Sequence, residues 1–279
     1  KRQDGQYRTT KNLYKNKYGN KVIFEEINHD LNVSFQYKWS NSKQFGFVRE
    51  SKLINLKDQT IDANLIDGVQ NIIPYGVNSD LQNNSSNLVS AYKRSELEPS
   101  SGMGIYALSA IIVDKAEPSE ALKANVVWSY GLENVKYLLS SRQLQNFREG
   151  HKVSEEFDIK AENGAYFVTS SLSLNGHSAK KWTIICDVNK NHSQIAQLSK
   201  IIGSTELLDD LVQEDIKDGL KSLIKLTAAS DGLQKTDDAL KDARHYSNTL
   251  FNIMRGGIFD SNYTVEKWDF RNYLNAANK

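Results

Sequence analysis

Between two apolar runs the chain reads DKAEPSEALKANVVW, residues 114–128. Glu117 and Glu120 stand there on a polar loop with Pro118 between them, and the loop leads directly to Trp128. These residue types suit a sugar: carboxylates accept hydrogen bonds from hydroxyls, and an indole offers a flat apolar plate to a pyranose face. The same residues also describe a plain turn followed by a core tryptophan, and spacing alone leaves both readings open. A second stretch, LIDGVQNIIPYGV at 65–77, poses a similar choice. Asp67-Gly68 and Pro74-Tyr75-Gly76 are either two hairpin corners, or they belong to a site lined by Asp67, Asn71 and Tyr75. Tyr75, fixed in a turn by its Pro and Gly neighbours, is the best exposed aromatic candidate. Trp39 and Trp182 sit at the ends of alternating runs and read as core.

Cleaving a glycosidic bond takes two carboxylates on opposite sides of it, about 5 to 9.5 Å apart. Glu25-Glu26 suits this poorly, because neighbours on a strand point to opposite faces. The five histidines (29, 151, 177, 192 and 245) are scattered, with no H-x-x-x-H or H-E-x-x-H pair, so no metal site is assigned. Cys186, the lone cysteine, lies in the apolar run WTIICDV and reads as a buried structural thiol; it permits neither an intrachain disulfide nor a cysteine-based zinc cluster. SGMGIYALS has too few glycines for a dinucleotide fingerprint and enters a strand. There is no Walker sequence and no G-x-S-x-G elbow. The residues therefore assign no catalytic group and no cofactor, and leave a candidate carbohydrate-binding set of Tyr75, Trp128, Glu117 and Glu120.

The 279 residues carry a formal charge of +1, which gives no chain-wide electrostatic signal for nucleic acid or an anionic membrane. No apolar run approaches the roughly 20 residues needed to span a bilayer. A soluble chain with no nucleic-acid or membrane partner is expected, and its single cysteine is consistent with the cytoplasm or the periplasm. The first residue is Lys1 and the last run, DFRNYLNAANK, stops in a helical pattern, so a piece of a longer protein is expected.

The elements that must position these residues change texture along the chain. Residues 1–20 form a basic, polar arm. From 21 to about 190 the pattern is β. In LNVSFQYKW, Leu31, Val33, Phe35, Tyr37 and Trp39 alternate onto one face. Further runs (FGFVRESKLINL, TIDANLID, GIYALSAIIVD, KANVVWSYG, SEEFDI, AYFVTSSLSL, KKWTIICDV) are separated by turn-forming Asn, Asp and Gly. This predicts antiparallel meanders in two stacked sheets. Two polar excursions interrupt them, 78–101 with a strand or short helix near 88–92, and 140–150 as a short helix or lid-like loop. Beyond 191 the period becomes helical. Leu208, Val212, Ile216, Leu220 and Ile224 draw one stripe, and Ala239, Ala243, Tyr246, Leu250 and Ile253 a second, with Thr236 as the expected N-cap and Gly256-Gly257 as the end. Such narrow stripes suggest a connector that packs on something further along.

The segment FGFVRESKLINLKDQTIDANLIDGVQNIIPYGV resembles the amino-terminal β-supersandwich, of mutarotase-like class, found in large carbohydrate-active proteins such as cellobiose phosphorylases and related glycoside hydrolases. The resemblance implies a mainly β, two-layer antiparallel supersandwich over 21–190, followed by two or three amphipathic linker helices over 191–279 and then a catalytic (α/α)6 barrel. It implies that the general acid belongs to the barrel, so no catalytic residue carries over. The partners it implies are the missing catalytic domain of the same parent chain, a homodimer mate, and a carbohydrate at the site's rim. A free-standing carbohydrate-binding or mutarotase-like module, or an assembly protein using its helices, are the alternatives.

Overall fold

The computed structural model describes residues 6–112, 120–204, 207–257 and 264–278. Its strands are β1 (Thr9–Lys15), β2 (Lys21–Asn28), β3 (Val33–Ser42), β4 (Gly46–Asn55), β5 (Ile61–Ile72), β6 (Lys93–Glu98), β7 (Met103–Leu108), β8 (Lys123–Tyr130), β9 (Lys136–Leu138), β10 (Asp158–Lys160), β11 (Gly164–Leu174) and β12 (Ala179–Asn191). Its helices are α1 (Ser79–Asn84), α2 (Ser86–Tyr92), α3 (Leu144–Arg148), α4 (His192–Ser204), α5 (Leu208–Ala229), α6 (Ala239–Met254) and α7 (Lys267–Ala277).

The strands form an antiparallel nine-stranded sheet, ordered β1-β2-β3-β4-β12-β8-β7-β6-β10, and a three-stranded sheet, β5-β11-β9. Within the arm, Thr9–Lys15 is an edge strand, β1, paired along its length with β2. β12 pairs with β4 on one side and β8 on the other, and its stretch Trp182–Ile185 is buried on both faces. Ile184 enters the cluster between the sheets with Trp182, Tyr166, Val168 and Leu139. Ile185 enters the cluster on the opposite face with Trp128, Val48 and Phe45. A continuous apolar run is what such a strand requires.

The α5 stripe is spent on that opposite face: Leu208, Val212 and Ile216 join Trp128 and Ile185 in one buried cluster. Polar anchors fix the helix. Asp215 accepts from the Lys43 and Gln44 amides at 2.7 and 3.1 Å and from the Ser42 hydroxyl, and Tyr130 donates to Asp209 at 2.9 Å. So α5 covers the sheet, and the connector expected from its stripe is instead part of the core. α6 begins one residue pair later than expected: its N-cap is Asp238, which accepts from Leu240 N and Lys241 N, not Thr236.

Asp67-Gly68 is not a hairpin corner. β5 runs through it without a break, with Asp67 opposite Val168 and Gly68 opposite Phe167. Glycine is needed there by close approach: a Cβ at Gly68 would sit 2.0 Å from Tyr166 O and 2.6 Å from Phe167 Cδ1. The turn-like Asn71 is also inside the strand. Its φ of 58° marks the extra residue of a β-bulge, opposite the register shift at Gly164/Ala165. Pro74-Tyr75-Gly76 is a turn, with Val77 N bonded to Pro74 O and Gly76 at φ 87°.

Candidate functional site

The nearest approach to a sugar-facing surface is built where the Pro74–Gly76 turn meets the start of β8. Asn125 donates to Ile73 O at 2.7 Å, which ties the turn to that strand. Tyr75 is 40% exposed, and Lys123 Nζ lies 5.2 Å from its ring centroid. Glu120 is exposed three residues before Lys123. Lys123 also lines a cleft of about 570 Å³ between the β6–β7–β8 part of the large sheet and α4, with Arg94, Glu96, Glu98, Ile105 and Lys190 on its walls. The volume falls in the range of small-molecule clefts, about 300–1,000 Å³.

The expected binding set is divided by the structure. Tyr75 belongs to this exposed end, and Glu120 is exposed on the segment that leads into it. Trp128 is fully buried, with Phe45 edge-on at 6.1 Å and Tyr130 at 5.8 Å between ring centroids. It is a core residue: β8 turns it toward α5, away from solvent, and it offers no plate to a pyranose. Glu117 lies outside the described residues. Asp67 and Asn71 do not join Tyr75 either, because Asp67 points between the sheets and Asn71 occupies the bulge.

β6, KRSELE, lies inside the 78–101 stretch that the sequence pattern predicts as a polar excursion. Its signal, a charge at every second position over Arg94, Glu96 and Glu98, is masked by the adjacent charge of Lys93. Lys93, Ser95 and Leu97 are buried, while Arg94, Glu96 and Glu98 face the cleft. Glu98 is held ionised. Partial burial opposes its charge but is outweighed by donors from Ser100, Ser101 and Ser199, which bring its carboxyl down to about 2. Glu96 is paired with Arg94 at 2.9 Å. Elsewhere Glu50 is buried yet kept low by Lys38 and Lys181, the latter at 3.0 Å. Asp67 accepts from Arg49, Ser51 and Trp182. Glu156 accepts from the Leu139 and Ser140 amides, both at 2.8 Å. These carboxylates are hydrogen-bond acceptors in use, and Glu98 and Glu50 are held away from the neutral form that a general acid needs. Burial pushes the Cys186 thiol up to about 12, so it is not a nucleophile at neutral pH. Among the described residues no group of three or more His, Cys, Asp or Glu could hold a metal ion, and no helix is long and apolar enough to cross a membrane.

Residues 259–279 match the family model described as Glycoside hydrolase family 149 insertion domain 1. No curated protein matches the chain in sequence. Among solved structures, the chain is similar over 87% of its length to a bacterial glucoamylase complexed with acarbose, at 7% identity and a TM-score of 0.47, covering 32% of that protein. It is similar over 87% to a candidate kojibiose phosphorylase from the human microbiome, at 9% identity and a TM-score of 0.35, covering 25% of it. It is similar over 82% to a family GH92 alpha-mannosidase from Bacteroides thetaiotaomicron, at 7% identity and a TM-score of 0.30, covering 26% of it. The chain thus spans about a quarter to a third of the length of these structures.

Proposed function

We propose that the chain is a non-catalytic β-sandwich domain with its helical linker, standing before the catalytic barrel of a larger carbohydrate-processing enzyme, a glycoside phosphorylase or hydrolase. The contrast between α5 and α7 carries this reading. The α5 stripe is buried on the large sheet, whereas α7 buries none of its residues. Phe270, Tyr273 and Leu274 share one α7 face at i, i+3 and i+4, and are 54%, 68% and 41% exposed. That helix falls in the stretch that matches a glycoside hydrolase family model. An amphipathic face left uncovered calls for a partner, and the partner assigned here is the catalytic domain that follows in the parent chain.

In this reading the sandwich braces the barrel, and Tyr75 with Glu120 forms a rim contact for sugar. The structurally engaged carboxylates, with Glu98 and Glu50 held in the charged form, support a role outside the chemistry. Isolated copies cover the α7 face with one another, which is the route to a homodimer. Sedimentation velocity over a concentration series tests this. The chain should self-associate, and a variant carrying F270S, Y273S and L274S should sediment as a monomer with an unchanged melting temperature. A chain that stays monomeric at every concentration, whatever stands at those three positions, would contradict the reading.

A further inference from the structure

The outer face of the short sheet carries a second depression, far in sequence from the Tyr75 turn. Alternation on β11 sends Tyr166, Val168 and Ser170 toward the large sheet and leaves Phe167, Thr169 and Ser171 outside. Thr169 pairs with Lys136 of β9, and Ser171 with Asn64 of β5. These polar side chains floor a groove of about 520 Å³, walled by Phe147, His151 and Lys152 from α3 and the loop after it.

The wall is held in place before any ligand arrives. Gly150 N bonds to Phe147 O and His151 N to Asn146 O. Ser154 N bonds to Gln143 Oε1 at 2.9 Å, and Val153 is buried with Leu138 and Phe167. Such a wall loses little freedom on binding, which favours affinity.

The charges in the groove are of one sign. Lys136 and Lys152 line it, and among the described residues no aspartate or glutamate does. Among the described residues neither lysine has a carboxylate within 4 Å. Among the described residues, Lys136 Nζ meets the carbonyl of Val153, at a long 3.4 Å. His151 lies 3.8 Å from Glu149. Beside these cations, Thr169 offers a hydroxyl, Asn64 and Ser171, joined by the Ser171 hydroxyl donating to Asn64 Oδ1 at 2.7 Å, keep the amide NH2 and a hydroxyl acceptor, and Phe147 presents an apolar ring edge or face. Hydroxyl-matching groups, one aromatic and two uncompensated ammonium groups in a single groove fit a sugar that bears an anion.

We infer that this groove binds an acidic saccharide, one carrying a carboxylate, sulfate or phosphate, with Lys136 and Lys152 on the anion and Phe147 against the ring. The saccharide half rests on the carbohydrate reading given above; the anion half rests on the groove alone. Calorimetric titration of the full chain with trigalacturonate, maltotriose and inorganic sulfate separates the two. Trigalacturonate should bind saturably and at least about tenfold more tightly than either other probe. Lys136→Gln and Lys152→Gln, both at exposed positions, should each weaken it by about tenfold, equivalent to about 1.4 kcal/mol, and Tyr75→Ala should leave it unchanged. Maltotriose binding as tightly as trigalacturonate, or trigalacturonate affinity indifferent to both lysines, would overturn the anion half. Sulfate binding as tightly as trigalacturonate would overturn the saccharide half, and no binding by a folded chain would overturn the whole. None of these results bears on the α7 self-association that tests the scaffold reading.

Discussion

Arg49 of β4 and Asp67 of β5 meet between the two sheets, Nη1 to Oδ2 at 2.5 Å, with both side chains at most a tenth exposed. The same Asp67 oxygen accepts from Ser51 Oγ and Trp182 Nε1, each at 2.8 Å. The Arg49 guanidinium also lies 4.5 Å over the Tyr37 ring. Removing one member of such a pair leaves the other charge buried and alone. Asp67→Ala should therefore cost about 3–5 kcal/mol in urea unfolding, and the double change Arg49→Met with Asp67→Leu should recover most of it. An Asp67→Ala variant as stable as the parent would show that the pair carries no weight between the sheets.

Gly68, the next residue, is fixed by the Phe167 ring and the Tyr166 carbonyl. Gly68→Ala should destabilise by about 1–3 kcal/mol, because the new methyl group can be seated only by moving the β5–β11 ladder. Gly203→Ala, whose Cβ meets nothing within 4 Å, is the matched control and should not destabilise.

Acid should loosen α4 before it unfolds the sandwich. Glu98 links the end of β6 to Ser199 of α4 at 3.1 Å and is held at about 2. Its folded value is below that of a free glutamate, about 4.3. The stability it contributes is complete above about pH 5 and is lost as pH falls from there toward 2. Glu98→Gln should flatten the acid limb of the stability curve over that window, read by far-UV circular dichroism.

The two aromatic candidates from the sequence should part company on substitution. Trp128→Ala should cost about 3–5 kcal/mol through the cavity it leaves under α5. Tyr75→Ala, at an exposed turn, should change stability by no more than about 0.5 kcal/mol. Urea titrations of both variants measure the difference.

Much of the fold was legible because burial writes itself into period. β3 alternates, β12 reads as one apolar run because both its faces are covered, and α5 shows a stripe because one face is. The antiparallel, two-layer sandwich followed by helices follows from those patterns. What misled was local chemistry with two uses. Asp67-Gly68 and Asn71 carry the residue types of turns, yet they serve an inter-sheet ion pair, a ring contact and a bulge inside one strand. KRSELE hides its alternation because its buried members include Lys93 and Ser95. Lys93 is satisfied by Gln82 and Asn163 at 2.8 and 2.6 Å, partners that no local pattern announces. The candidate surfaces were harder still, since the groove under α3 joins residues from β5, β9 and β11 that lie far apart along the chain.

The most direct test is turnover by the purified chain. Kojibiose, maltose, cellobiose and mannobiose would be incubated with it, with and without inorganic phosphate, and the products resolved by anion-exchange chromatography. A domain that supports catalysis without performing it should release no monosaccharide and no sugar phosphate above the blank. Release that scales with chain concentration and vanishes on substituting Glu96 or Glu98 would place a reaction in the chain itself and contradict that role.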